Sequence, residues 1–207
     1  VAGSPFAAAD CPSYISIHPS GRLAYVIHED LDSFADQISG YSIDASTGAL
    51  RRLAGSPFVT GNPSLDSFAS ISFDPSGKFA YVANGTMDNI AAYSVDTTTG
   101  ALTAIAGSPF AAGGGPVATA VDPSGRFIYA ADYRSYEVSA YSIDALTGTL
   151  TEIDGSPFWL EPGGPSDIAI DPSGRFVYVT IFDTDLLKSF SIDGSTGALT
   201  KGIGSPF

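Results

Sequence analysis

DPSGRFVYVTI, residues 171–181, divides into a turn and a strand. Asp171 can accept from the backbone two residues on, Pro172 fixes φ for the following position, and Ser173 and Gly174 complete the reversal. Arg175–Ile181 is rich in β-branched and aromatic residues and reads as a strand. Working outward, SDIAI (residues 166–170) is a strand before the turn. KSFSID (188–193), a GSTG turn and ALTKGI (198–203) supply two more. The unit is a four-stranded antiparallel meander.

The same unit occurs four times. Pro-Ser-Gly starts at Pro19, Pro75, Pro123 and Pro172, and Thr-Gly at Thr47, Thr99, Thr147 and Thr196. That period, about 50 residues, lies in the range of propeller blades. The first two strands of each unit are apolar or small on both faces, so neighbouring material must cover both sides of the sheet. Small residues stand two positions before each turn (Ser16, Ser72, Ala120, Ala169). Rings stand in the second strand (Tyr25, Tyr81, Tyr129, Tyr178) and the third (Tyr41, Tyr93, Tyr141, Phe190). Sheets that converge on an axis need small side chains inside and large ones outside. The sequence therefore predicts an all-β fold, a β-propeller of four-stranded antiparallel blades. Residues 1–207 read as a single propeller unit or segment with blades near 7–58, 59–110, 111–158 and 159–207, and 1–6 as a joint from a preceding repeat. A Gly-Ser-Pro-Phe stretch recurs five times. It reads as the joint that leaves an outermost strand for the next innermost one, with Phe6, Phe58, Phe110, Phe158 and Phe207 plugging the gap between sheets.

Of 207 residues, 44% are apolar and 15% charged, as in a compact fold. The net charge of −13 repels phosphate backbones and anionic surfaces, so no nucleic-acid partner is expected. No apolar run is long enough to span a bilayer, and no membrane insertion is expected. The chain starts at Val1, and Met87 is its single methionine. It reads as a processed product or a window of something longer. Cys11 is the one cysteine and reads as a packing residue. His18 takes the place of Asp in the first turn and His28 ends a second strand. With so few His and Cys, neither a metal site nor a cofactor is expected. The acidic pairs Asp30/Asp32 and Asp183/Asp185 read as ordinary loops rather than calcium ligands. Asn84-Gly85-Thr86 is a glycosylation sequon, making Asn84 a possible attachment site.

DPSGKFAYVAN, DPSGRFIYAAD and DPSGRFVYVTI, with YSIDALTGTL and GSPF, resemble the lactonase-like bacterial β-propellers, which include YVTN-type repeats and 6-phosphogluconolactonase-like proteins. The resemblance covers all four repeats. It implies a ring of typically seven blades, and a secreted, cell-surface or periplasmic location. The enzymatic branch of that family has a histidine in a PHPHS-like run entering the innermost strand. The corresponding positions here are Ser13, Ala69, Val117 and Ser166. Tyr14, His28, Asn84, Asp132 and Asp167, with Ser70, are candidate binding residues at one mouth of the central channel, against the plainer reading of them as solvated rim residues. No catalytic set follows from the sequence. The favoured expectation is a non-enzymatic extracellular repeat module for self-assembly or binding. Its apolar end flanks would be covered by a homo-oligomer or by further repeats. The alternative is a lactonase-like hydrolase or isomerase at the channel mouth, using Asp132, Asp167 and His28.

Overall fold

The structure, a computed structural model, describes residues 1, 3–8, 11–30, 35–63, 70–160, 163–202 and 205–206. Four antiparallel sheets follow one another along the chain. The first holds β1 (Pro12–Ile17), β2 (Leu23–Asp30), β3 (Ala35–Ile43), β4 (Leu50–Arg52) and β5 (Phe58–Pro63). The second holds β6 (Ile71–Phe73), β7 (Phe79–Asn84), β8 (Asn89–Val95), β9 (Leu102–Ala104) and β10 (Phe110–Ala111). The third holds β11 (Pro116–Val121), β12 (Phe127–Asp132), β13 (Glu137–Ile143), β14 (Leu150–Glu152) and β15 (Phe158–Trp159). The fourth holds β16 (Pro165–Ile170), β17 (Phe176–Ile181), β18 (Leu186–Ile192) and β19 (Leu199–Lys201). This is the propeller arrangement that the repeats predict.

Register explains the repeated small residue. Ser16 lies opposite Tyr25, Ser72 opposite Tyr81, Ala120 opposite Tyr129 and Ala169 opposite Tyr178. Each small side chain leaves room for the ring beside it. Tyr25, Tyr81 and Tyr129 are fully buried. Their hydroxyls donate to the carbonyls of Gly100, Gly148 and Gly197, at 2.8, 3.0 and 2.8 Å. These glycines end the Thr-Gly turn of the next blade and have positive φ. A Cβ on Gly148 would lie 2.4 Å from the Phe79 ring, and one on Gly197 would lie 2.5 Å from Phe127. Glycine thus lets each blade's rings press onto the following turn. Apolar clusters fill the three seams. Leu23, Tyr25 and Ile27 meet Ile71, Val82 and Tyr93; Phe79, Tyr81 and Ile90 meet Ile128 and Tyr141; Phe127, Tyr129 and Val138 meet Val177, Val179 and Phe190. Each fully buried apolar chain contributes about 1.5–3 kcal/mol.

The turns between first and second strands are held as read. Asp74, Asp122 and Asp171 each accept from the backbone N–H two residues on and from that of the Phe five residues on. In blade one, the His18 Nδ1 accepts from the Ser20 N–H, and its Nε2 lies 2.7 Å from the Gly77 carbonyl of the next blade. That geometry selects the neutral tautomer protonated on Nε2.

The Gly-Ser-Pro-Phe stretch differs from its reading as a crossing. It splits the outermost strand in two: β4 and β5 both pair with β3, β9 and β10 with β8, and β14 and β15 with β13. Phe58, Phe110 and Phe158 start the second halves. Between the halves the Ser Oγ accepts the third strand's N–H: Ser56 from Gly40, Ser108 from Ala92, Ser156 from Ala140 and Ser205 from Ser189. A side chain replaces the ladder partner that the interruption removes. The Ser–Pro bonds of all five stretches are cis. Phe6 is partly buried, and Phe207 lies outside the described residues.

Candidate active site

The inner strands begin, and the second strands end, at one mouth of the blade stack. There the pairing slips between Pro12 and Tyr14, between Pro116 and Ala118, and between Pro165 and Asp167. Ser13, Val117 and Ser166 are the extra residues of these bulges, and Ala69 lies outside the described residues. Bulges re-aim the side chains around them. The residues after the slip are Tyr14, Ala118 and Asp167, and Ser70 holds the equivalent place in blade two, accepting from the Thr119 N–H at 2.9 Å. Ser70 and Ala118 are buried, whereas Tyr14 is 41% exposed and Asp167 is exposed. Of the four residues at this place, Tyr14 and Asp167 thus remain open at the mouth.

Tyr14 and Asp167 sit on the first and last blades, and both open to this mouth. Partial burial raises the Tyr14 phenol pKa, and the Asp167 carboxylate raises it further. Tyr14 therefore stays a neutral O–H donor through physiological pH. One Asp167 oxygen accepts from the Ile168 N–H at 2.9 Å. The pair offers an acceptor for a water proton and a donor for an oxygen that becomes negative.

His28, Asn84 and Asp132 do not line the open mouth. Asn84 and Asp132 end their second strands, whereas β2 continues two residues beyond His28; all three side chains are buried. His28 Nε2 lies 2.9 Å from Ser39 Oγ. Asn84 donates to Asn89 Oδ1 at 2.7 Å, and its own Oδ1 is buried without a partner among the described residues. Asp132 Oδ2 accepts from the Ser139 N–H at 3.0 Å and hydroxyl at 2.6 Å, while Oδ1 is buried with no partner among the described residues. Burial pushes the Asp132 pKa up to about 7; Ser139 opposes this, while Glu137 and Asp88 add to it. A Cβ on Gly113 would lie 2.6 Å from Asp132 Oδ2 and 2.7 Å from Glu137 Oε1, so two carboxyls crowd this glycine. The sequence reading puts all three at strand ends, which the structure shows for Asn84 and Asp132 and not for His28. Which face of the strand they occupy depends on the register.

A cleft of about 120 Å³ opens between blades three and four, lined by Val117, Tyr133, Pro165, Ser166 and Phe182. Tyr133 and Phe182 follow the second strands, and the sequence reading passed over both. The available signal was an aromatic ring directly after that strand in these two blades and in neither of the others. Among the described residues, no three His, Cys, Asp or Glu side chains gather as a metal centre. Among the described residues, no helix is long and apolar enough to cross a membrane.

The family described as lactonase, 7-bladed beta-propeller, matches residues 2–163. The fold is similar to that of the Pseudomonas aeruginosa periplasmic gluconolactonase PpgL, with TM-score 0.75 and 20% identity over 92% of this chain and 55% of that one. A provisionally named 6-phosphogluconolactonase of Bacteroides fragilis gives TM-score 0.72 and 25% identity over 93% of this chain and 53% of that one. A protein of unknown function from Desulfotomaculum acetoxidans gives TM-score 0.69 and 15% identity, covering 92% and 55%. The chain thus spans just over half the length of these structures. No functionally curated protein matches it. The match to a lactonase family overturns the expectation of a non-enzymatic extracellular assembly module. That expectation rested on exposed end flanks and on the missing histidine, and neither bears on chemistry performed by other residues at the mouth.

Proposed function

Because the chain belongs to the lactonase family of seven-bladed β-propellers, we propose that it hydrolyses lactones at this mouth, with Asp167 and Tyr14 as its working groups. The observation that carries the assignment is that Tyr14 and Asp167 follow equivalent bulges in the first and last blades and are both exposed at the mouth. Asp167 takes a proton from water as the water oxygen attacks the lactone carbonyl carbon. Tyr14 donates a hydrogen bond to the carbonyl oxygen as it becomes negative. The ring C–O bond then breaks, the leaving alkoxide takes the proton held by Asp167, and the product is an open hydroxy acid with the carboxylate regenerated. Ser13, Val117 and Ser166 stand where the resemblance calls for a histidine, so the proposed route uses none.

The proposal includes a periplasmic setting, in keeping with the printed name of PpgL. It also includes a further blade against the outer flank of blade four, where Phe176, Tyr178 and Leu187 are exposed.

Acid release from δ-valerolactone and glucono-δ-lactone at constant pH tests the reading. Purified protein should exceed the buffer rate, Asp167→Asn should lower kcat/KM about 100-fold, and Tyr14→Phe about 10-fold or more. Turnover equal to buffer, or turnover unchanged in both variants, would refute it.

A further inference from the structure

We infer that the cleft between blades three and four is a subsite for a hydrocarbon substituent of the lactone, so that alkyl-substituted lactones are preferred over polyhydroxylated ones. The inference rests on the proposed lactone hydrolysis for its substrate and on the cleft itself for its selectivity. Ser166 lines the cleft and is directly followed by Asp167, so the cleft opens at the same mouth, next to the backbone of that proposed working group. Four of its five lining residues are Val117, Tyr133, Pro165 and Phe182. The fifth, Ser166, has its hydroxyl bonded to Thr180 Oγ1 at 2.9 Å. A sugar-like lactone placed here would strip water from its hydroxyls and find almost nothing to bond, which is costly for every group buried. A hydrocarbon chain loses nothing and gains about fourfold in affinity per buried methylene.

The walls are built by close approach. A Cβ on Gly164 would lie 2.3 Å from the Tyr133 ring, so only glycine lets that ring form its side of the cleft. Val117 is the extra residue of its bulge, at the position where the fold steers side chains toward the mouth. Phe182 is 70% exposed, a large ring left in water at the lip. An occupant that covers this ring recovers apolar area that the protein alone leaves hydrated. A volume near 120 Å³ is enough for a short chain.

Calorimetric binding of non-hydrolysable lactams separates this inference from the proposed reaction. The probes are δ-valerolactam, its 6-pentyl derivative and glucono-δ-lactam. The pentyl compound should bind at least 10-fold tighter than the other two, and Phe182→Ala, at an exposed ring, should reduce that advantage to threefold or less. Equal affinities, tighter binding of the polyol, an advantage that survives Phe182→Ala, or no saturable binding by any probe would each overturn the subsite. If the pentyl advantage holds while no lactone is hydrolysed, the subsite stands and the reaction assigned above falls.

Discussion

Asp132 makes the sharpest residue-scale prediction. Its folded pKa of about 7 lies above the ordinary 3.8, so the native state keeps a proton that the unfolded chain has already released. Its contribution is therefore full below about pH 4 and is lost as pH rises toward 7. Each unit of displacement corresponds to about 1.4 kcal/mol. Asp132→Asn should denature at a midpoint close to that of the parent at pH 4 and at a clearly higher one at pH 8. Parallel pH dependences for parent and variant would contradict the burial argument. The sequence shows His18 as a turn substitute, and the structure keeps that reading while adding its bond to Gly77. The Tyr14–Asp167 pairing was not legible in the same way. The two residues are separated by three blades in sequence, and only the fold sets both at one mouth.

Among elements, the tyrosine-to-glycine bond between blades carries the greatest weight. Tyr129→Phe removes the donor to Gly197 and leaves a buried carbonyl unpaired, at a cost of about 1–3 kcal/mol. Tyr178 occupies the same register on blade four and is 38% exposed, so Tyr178→Phe in this chain should cost within about 0.5 kcal/mol. Urea midpoints of the two variants measure the contrast; equal losses would show that the inter-blade bond contributes nothing. Strand identity and turn positions were plain in the sequence because alternation, Asp-Pro-Ser-Gly and Thr-Gly each have a local cause. The split outer strand was hidden. Its repair is a single serine hydroxyl per blade, and neither propensity nor periodicity encodes such a bond.

For the whole molecule, the repeats gave the blade count within the chain and the covered faces of the seams between blades, because a taper leaves a size pattern in the sequence. They did not give the activity. Function lies in the few residues exposed at the mouth, and the repeat pattern averages over them. The same distinction explains why an argument from exposed flanks pointed to assembly while the family match points to hydrolysis. The most direct measurement is a double-mutant cycle of lactone kcat/KM on the parent, Asp167→Asn, Tyr14→Phe and the double variant. Groups that act together on one transition state give strongly non-additive losses. The account requires a double variant little slower than Asp167→Asn alone. Losses that multiply, or no loss in any variant, would contradict a joint site at the mouth.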